Sequence, residues 1–211
     1  MAIGYFIRRS FGPFEKTISN LYRSIFMDIR LLAEYIAEES SSSKKVLEIG
    51  CGEGALMENL VPLFPKTEFT GIDIAPTVGR LFQAHDDNVK FIHADIENFS
   101  SQCNVKFDLI LICDVLHHVP EELQRPLLKT AKSLLENDGV IIVKDWEGKG
   151  GLINSVSYFL ERYITGDKVG YKSEFEWKKL LREVFGNDAI RSIKRIQPWK
   201  NNIMFVMTKS E

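Results

Sequence analysis

The stretch "KKVLEIGCGEG", residues 44–54, decides how this chain folds. A short apolar run is followed by Gly50, Gly52 and Gly54, at every second position. Because each fixed glycine costs backbone entropy, three of them together need a reason. They indicate either a tight turn with dihedrals that only glycine tolerates, or a ligand that lies directly against the backbone.

The composition is typical of a globular protein with one medium-sized domain. Apolar residues make up 45% and charged residues 27% of the 211 residues. A formal net charge of −2 argues against general electrostatic binding of nucleic acid. The three cysteines lack CxxC spacing, so we expect neither a disulfide framework nor a metal site.

The sequence also carries signals about the compartment. No apolar run reaches the length of a bilayer span, and the N-terminal arginines follow the apolar residues, the wrong order for a signal peptide. An odd number of cysteines favours a reducing environment. These features predict a cytoplasmic protein without a transmembrane segment.

From residue 44 onward, short β-branched runs alternate with helical stretches. We predict strands over 44–49, 67–72, 89–94, 107–113, 139–146, 190–196 and 202–208, and helices near 55–64, 77–85, 121–136 and 174–185. Strand–helix alternation requires crossover connections, which predicts an α/β, doubly wound, mostly parallel sheet with helices on both faces. The continuous apolar run Leu109–Ile112 is typical of a central strand.

Two segments extend this pattern. Residues 14–39 have the apolar spacing of one long amphipathic helix, so we divide the chain into an N-terminal helical segment, 1–43, and a main domain, 44–211. Three uses of the helix stay open: packing on the domain, a lid over a substrate site, or a peripheral membrane contact. Residues 149–173 are predicted to form a helical insertion that contributes to a substrate pocket.

Acidic residues stand at the ends of four successive strands: Glu48, Asp73, Asp95 and Asp114. In open parallel sheets, ligands bind beyond the carboxyl ends of the strands. An acid at the position of Asp73 can accept hydrogen bonds from both hydroxyls of a ribose. The spacing GxGxG differs from the GxGxxG of pyrophosphate sites, and acidic flanks suit a nucleoside with a cationic or zwitterionic tail.

At this point a family resemblance becomes specific. The stretches "VLEIGCGEG", "GIDI", "HADIENF", "FDLILICDVLHHV" and "LLENDGVIIVKDW" resemble, in order and spacing, the motifs of the S-adenosylmethionine-dependent methyltransferases with a Rossmann-like fold. The resemblance covers about residues 44–146. It implies S-adenosyl-L-methionine as cofactor and a seven-stranded sheet of order 3-2-1-4-5-7-6 whose last strand is antiparallel.

The resemblance also implies cofactor-binding residues. Those expected at the methionine and ribose parts are Glu48, Gly50, Cys51, Gly52 and Gly54, with Asp73 on the ribose hydroxyls. Ile74, Asp95 and Ile96 are expected at the adenine, and Cys113 and Asp114 near the methionine portion and the transferable methyl group. As alternatives, Glu48 and Asp73 could cap the following helices, and Asp95 could be a turn residue.

Two adjacent histidines follow the fourth strand. His117 or His118 could be a general base, because imidazole titrates near neutrality. Alternatively, the pair shapes the pocket and packs under the next helix. The sulfonium already activates the methyl group, so a base is needed only where the nucleophile is protonated and poorly acidic. Lys144 and Asp145, at the fifth strand end, are weaker candidates.

The acceptor is predicted from what the family's motifs and the added segments contain. The "NPPY" motif of relatives that methylate amide or nucleobase nitrogen is replaced here by "DVLH", residues 114–117, which disfavours nucleic-acid and protein-amide acceptors. Aromatic residues in the two added segments favour a small apolar or aromatic acceptor, methylated on oxygen rather than on nitrogen or carbon; alternatively, these aromatic residues simply pack in a core. Alternatives are a non-catalytic partner subunit, an RNA or protein methyltransferase that uses Arg191, Lys194, Arg195 and Lys200, and a nicotinamide-dependent oxidoreductase. The oligomeric state is not predicted.

Overall fold

The computed structural model describes residues 16–17, 24–84, 86–150, 152–159 and 169–209. The strands in this part of the chain are β1 (Lys45–Ile49), β2 (Glu68–Asp73), β3 (Val89–His93), β4 (Phe107–Cys113), β5 (Leu135–Trp146), β6 (Ile190–Ile196) and β7 (Asn202–Thr208). The helices are α1 (Ile29–Ser40), α2 (Ala55–Leu60), α3 (Ile96–Gln102), α4 (Glu121–Leu134), α5 (Leu152–Phe159) and α6 (Glu174–Phe185). Short 3₁₀ helices cover Val61–Leu63 and Leu116–His118.

All seven strands form one sheet of order β3-β2-β1-β4-β5-β7-β6. Strands β1 to β5 pair in parallel, and β7 runs antiparallel to both β5 and β6. The predicted α/β sheet, its order and its antiparallel last strand are therefore confirmed. The strand order reverses between β1 and β4, and in sheets of this kind ligands bind beyond the carboxyl ends of the strands at that point.

Strand β4 lies in the middle of two hydrophobic cores. Leu109 and Leu111 face the cluster that contains α1 and α2, whereas Ile110 and Ile112 face the cluster that contains α3, α4 and α6. All four side chains are fully buried. Alternate side chains of a strand point to opposite faces, so both faces of the sheet are covered, as predicted for a central strand.

The predicted single helix over 14–39 is wrong in the part that the structure describes. The helix is interrupted at Met27 and Asp28, and the Asp28 carboxylate caps α1 by accepting the N–H groups of Arg30 and Leu31 at 3.1 and 3.0 Å. Helix α1 then buries Leu32, Ala33 and Ile36 in the core. The expectations for residues 1–15 and 18–23 lie outside the described residues.

A second helix prediction, over 77–85, is also wrong. Residues 77–81 form turns and residues 82–84 have no regular secondary structure, with Gly79 at a φ of +66°. A Cβ on Gly79 would lie 2.4 Å from the Phe91 ring. The backbone at Gly79 therefore packs directly against the Phe91 side chain of β3, and this contact sets the path of the segment. The Gly79 N–H donates to the Gly52 carbonyl at 2.9 Å, so this segment supports the glycine turn instead.

Smaller differences concern element ends. Helix α3 was not expected, and the helix predicted over 121–136 ends at Leu134, where β5 begins four residues before the predicted start. In the predicted insertion the structure describes α5, while residues 151 and 160–168 lie outside the description. Among the described helices, none is long and apolar enough to cross a membrane.

Candidate active site

The turn after β1 needs glycine at all three positions. Gly50, Gly52 and Gly54 have φ values of +75°, +52° and +87°, in the left-handed region that other residues rarely adopt. A Cβ on Gly50 would lie 2.3 Å from Val115 Cγ2, and one on Gly54 would lie 3.0 Å from Phe82 Cβ. Around a Cβ on Gly52, no atom of the described residues lies within 4 Å. The turn is therefore packed at Gly50 and Gly54 and open at Gly52.

Asp73, at the end of β2, fixes this turn. Its Oδ2 accepts the Gly52 N–H at 2.8 Å, and its Oδ1 accepts the Ala75 N–H at 2.7 Å. Because a carboxylate oxygen accepts more than one hydrogen bond, Asp73 can also accept the hydroxyls of a ribose. The next side chain, Ile74, is 76% exposed, which leaves an apolar surface for a flat ring beside that carboxylate.

Asp95 and Ile96 are engaged mainly with their own helix. Asp95 caps α3, accepting the Asn98 N–H at 2.7 Å on Oδ1 and the Asn98 Nδ2 at 2.6 Å on Oδ2. Ile96 is 4% exposed and belongs to the core. This end of β3 adjoins the end of β2, where the Ala94 N–H donates to the Asp73 carbonyl at 3.0 Å. The adenine contacts implied for Asp95 and Ile96 stay predictions.

Glu48 lies inside the sheet rather than capping a helix. The side chain is 3% exposed, and its Oε2 has no hydrogen-bond partner within the described residues. Burial, and secondly the charge of Asp73, raise the pKa of Glu48 to about 8. The thiol pKa values of Cys51 and Cys113 are also raised, mainly by burial and to a smaller extent by the charge of Glu48. Both cysteines are therefore protonated and unreactive at neutral pH.

This burial makes folding stability depend on pH. Glu48 keeps its proton up to about pH 8 in the folded protein and titrates near 4.5 when unfolded. Between these values the unfolded state binds fewer protons, so stability falls as pH rises, by on the order of 4 kcal/mol at pH 8. In Glu48→Gln this fall should disappear. Urea unfolding from pH 5 to 8.5 measures it, with the exposed Glu68→Gln as control, and parallel curves for wild type and Glu48→Gln would contradict the prediction.

Asp114 follows β4 and pairs with a buried lysine. Both of its carboxylate oxygens accept from Lys144 Nζ at 2.7 Å. The Lys144 side chain is 1% exposed and that of Asp114 is 33% exposed. A buried ammonium is costly without a counter-ion, so Asp114 supplies the charge that keeps Lys144 inside β5. The φ of Asp114, +57°, is rare for a residue other than glycine and directs the chain into the histidine segment.

His117 and Asp145 form a buried pair at the ends of β4 and β5. His117 Nδ1 lies 2.5 Å from Asp145 Oδ1, and the His117 backbone N–H donates to Oδ2 at 3.2 Å. Burial raises the pKa of Asp145, but the charge and hydrogen bond of His117, the Trp146 N–H and Lys144 outweigh it and lower the pKa. An ionised Asp145 fixes the imidazole orientation and stabilises its protonated form.

Aromatic rings border this pair. The exposed His118 ring lies with its centroid 3.9 Å from that of His117, and the Tyr171 ring contacts His117 edge-on at 5.8 Å. Tyr171 in turn stacks on Trp146 at 5.7 Å, and the Gly170 N–H donates to the His117 carbonyl at 2.9 Å. Sequence reasoning missed Tyr171 and Trp146 and ranked Asp145 low; the polar end "KDW" of an otherwise apolar strand was the available signal.

Asp114, His117 and Asp145 also bring one possible metal-ligand atom each to within 4.8 Å of one another. The Lys144 ammonium already binds both oxygens of Asp114, so the negative charge of this carboxylate is neutralised without a metal ion. The expectation of no metal stays a prediction.

The fold and this edge of the sheet define a Rossmann-like domain of the class I methyltransferase type. Residues 47–141 match the family model described as a methyltransferase domain. These residues form a domain of the class I S-adenosylmethionine-dependent methyltransferases, which confirms the resemblance found in the sequence. S-adenosylmethionine is the cofactor of this family, as predicted.

Particular relatives cover parts of the chain. A ubiquinone biosynthesis O-methyltransferase of Glaesserella parasuis is 32% identical over 119 residues, 52% of this chain and 49% of the relative. A malonyl-[acyl-carrier protein] O-methyltransferase of Paenibacillus sp. is 36% identical over 90 residues, 38% of this chain and 33% of the relative. The chain therefore spans half or less of the length of these two relatives.

A solved structure matches more of the length. The 1,6-didemethyltoxoflavin-N1-methyltransferase of Burkholderia thailandensis, crystallised with 1,6-didemethyltoxoflavin and S-adenosylhomocysteine, superposes with a TM-score of 0.70. The match covers 99% of this chain and 89% of the other, at 17% identity. At that identity the likeness shows a shared fold.

Proposed function

We propose that this chain transfers the methyl group of S-adenosylmethionine to an oxygen of a small, largely apolar acceptor. The observation that carries the proposal is the pairing of two half-sites at neighbouring strand ends. One is the open turn at Gly52 with Asp73 and Ile74, and the other is the His117–Asp145 pair with its aromatic border. The names of the two curated relatives, both O-methyltransferases, support oxygen as the acceptor atom.

The residues of the first half-site fit the cofactor. Backbone at Gly52 is open, Asp73 offers carboxylate oxygens to ribose hydroxyls, and Ile74 offers exposed apolar surface to an adenine ring. The unpartnered Oε2 of Glu48 suits a cationic group. When bound, the cofactor supplies a methyl group that its sulfonium has already activated. The protein then has to orient the acceptor and exclude water.

The second half-site handles the proton of a hydroxyl acceptor. His117 Nε2, on the ring side away from Asp145, is the nitrogen that accepts the proton as the oxygen is methylated. The ionised Asp145 holds the ring through Nδ1 and stabilises the resulting imidazolium. Tyr171 and His118 give the acceptor an aromatic surface, and the buried Trp146 supports Tyr171 by stacking on it. Because His117 takes the hydroxyl proton during the transfer, the acceptor does not have to be ionised before it binds.

The basic residues considered for RNA are partly neutralised. Lys194 contacts Glu38 and Glu39 at 2.8 and 3.2 Å. Arg195 binds Glu147 and also Glu174. Phosphate binding by these two side chains would have to break intramolecular ion pairs, which favours the small-molecule acceptor.

Turnover tests the proposal. Transfer of labelled methyl should be found with apolar phenols and not with matched anilines; methylation of the anilines alone would contradict oxygen as the acceptor atom. With an accepted phenol, His117→Asn should lower kcat by about 100-fold, the low end for general-base catalysis, and S-adenosylhomocysteine affinity should stay within about twofold. His118→Asn is the matched control that shows which imidazole acts.

A further inference from the structure

Glu48 is a buried acid next to the glycine turn, and its Oε2 has no hydrogen-bond partner among the described residues. It pairs in the ladders with Gly71 of β2 and Leu111 of β4, two residues before the glycine turn. The side chain is 3% exposed, and Oε2 makes no hydrogen bond with any described residue. Buried polar atoms of native proteins are nearly always hydrogen-bonded, so such an atom beside a binding turn points to a partner that the protein itself does not provide.

The groups around Glu48 are acidic or neutral. Asp73 faces it from β2, and the protonated thiols of Cys51 and Cys113 face it from the turn and from β4. The neighbouring cation, Lys144 on β5, is bound to Asp114, and no ion pair joins Glu48 to a basic residue in the described ranges. An ionised Glu48 would therefore be a buried charge beside a like charge, which is strongly unfavourable.

We infer that Glu48 carries a proton while the cofactor site is empty and that the ammonium group at the amino-acid end of the cofactor displaces this proton on binding. The O–H bond of the carboxyl breaks, its electron pair stays on the oxygen, and the proton leaves to solvent. The carboxylate then neutralises the ligand's ammonium group. This inference rests on the proposed cofactor and deepens it, because it makes cofactor binding a proton exchange.

The exchange has a definite pH dependence. With a pKa of about 8 in the empty site, Glu48 is almost fully protonated at pH 6.5. Binding that releases a proton becomes tighter as pH rises, by up to about tenfold per pH unit below 8, and levels off above it.

Calorimetry of the full chain at pH 6.5 tests the inference. Binding of S-adenosylhomocysteine is measured in two buffers with different ionisation enthalpies, and the difference in heat gives the protons released. We expect about one proton per site for the wild type, and close to none for Glu48→Gln. The neutral 5′-methylthioadenosine has the nucleoside but lacks the amino-acid end, so its binding should release close to none from the wild type.

The outcomes separate this inference from the proposed function. Binding of S-adenosylhomocysteine to the wild type without proton release would overturn the inference and leave the cofactor assignment intact. Release of a full proton by a folded Glu48→Gln, or on binding 5′-methylthioadenosine, would also overturn it. If Glu48→Gln does not fold, the two ligands on the wild type still decide. Absence of any binding to the folded wild type would overturn the proposed function, and the inference with it.

Discussion

Asp73→Ala should weaken the binding of S-adenosylhomocysteine by about 1,000-fold. The Asp73 carboxylate is expected to accept both ribose hydroxyls, and hydrogen bonds to a charged group contribute about 1.5–3 kcal/mol each. The substitution also frees the Gly52 N–H that Oδ2 holds at 2.8 Å and so loosens the turn. Calorimetric titration measures the dissociation constant, with NAD as a second ligand that we expect not to bind.

A matched variant separates the ligand contact from the structural one. Asp108 also accepts two backbone N–H groups, those of Lys44 and Lys45 at 2.9 and 3.0 Å, but at the opposite edge of the sheet. Asp108→Ala should therefore lose a similar amount of stability and keep its affinity for S-adenosylhomocysteine. Equal affinity losses in both variants would show that Asp73 acts only through stability, and tight binding of NAD would favour the oxidoreductase alternative.

The sheet could be predicted from the sequence because its central strands are buried on both faces. The runs that end at Glu48-Ile49, at Cys113 and at Trp146 are apolar and β-branched, which indicates a strand without knowledge of any neighbour. The acids at the strand ends could be found from their positions in the sequence, whereas the order of the strands and the remaining cofactor contacts came from the family resemblance. The local sequence pattern and the order of the motifs were therefore sufficient to predict the strands that hold the cofactor site.

What could not be predicted depends on contacts between distant residues. The segment near Gly79 has helical spacing, but the Phe91 ring and the glycine turn set its path. Asp28 interrupts a continuous apolar pattern because its carboxylate caps α1, a choice that competes locally with helix continuation. The His117–Asp145 pair joins residues 28 positions apart, and only the parallel pairing of β4 and β5 brings them together.

Substitutions in the glycine turn should also have large effects, on stability at Gly50 and on cofactor affinity at Gly52. In Gly50→Ala, a left-handed residue with a Cβ costs about 1–2 kcal/mol, and overpacking adds about 1–3 kcal/mol. The new methyl would lie 2.3 Å from Val115 Cγ2, and Val115 has a β-branched side chain with restricted rotamers. Urea unfolding should therefore show a loss of about 4 kcal/mol, close to the whole stability of a marginal domain.

Gly52→Ala has the same backbone cost but no such overlap, since the space beyond it is open. It should lose about 1–2 kcal/mol of stability, remain folded, and bind S-adenosylhomocysteine about 100-fold more weakly because the methyl group enters the ligand's space. Gly150→Ala is the matched control, with a φ of +75° and no described atom within 4 Å of its Cβ. It should lose similar stability and keep its affinity. If Gly52→Ala also keeps its affinity, the open side of the turn is not where the cofactor lies, and the three glycines are explained by the backbone alone.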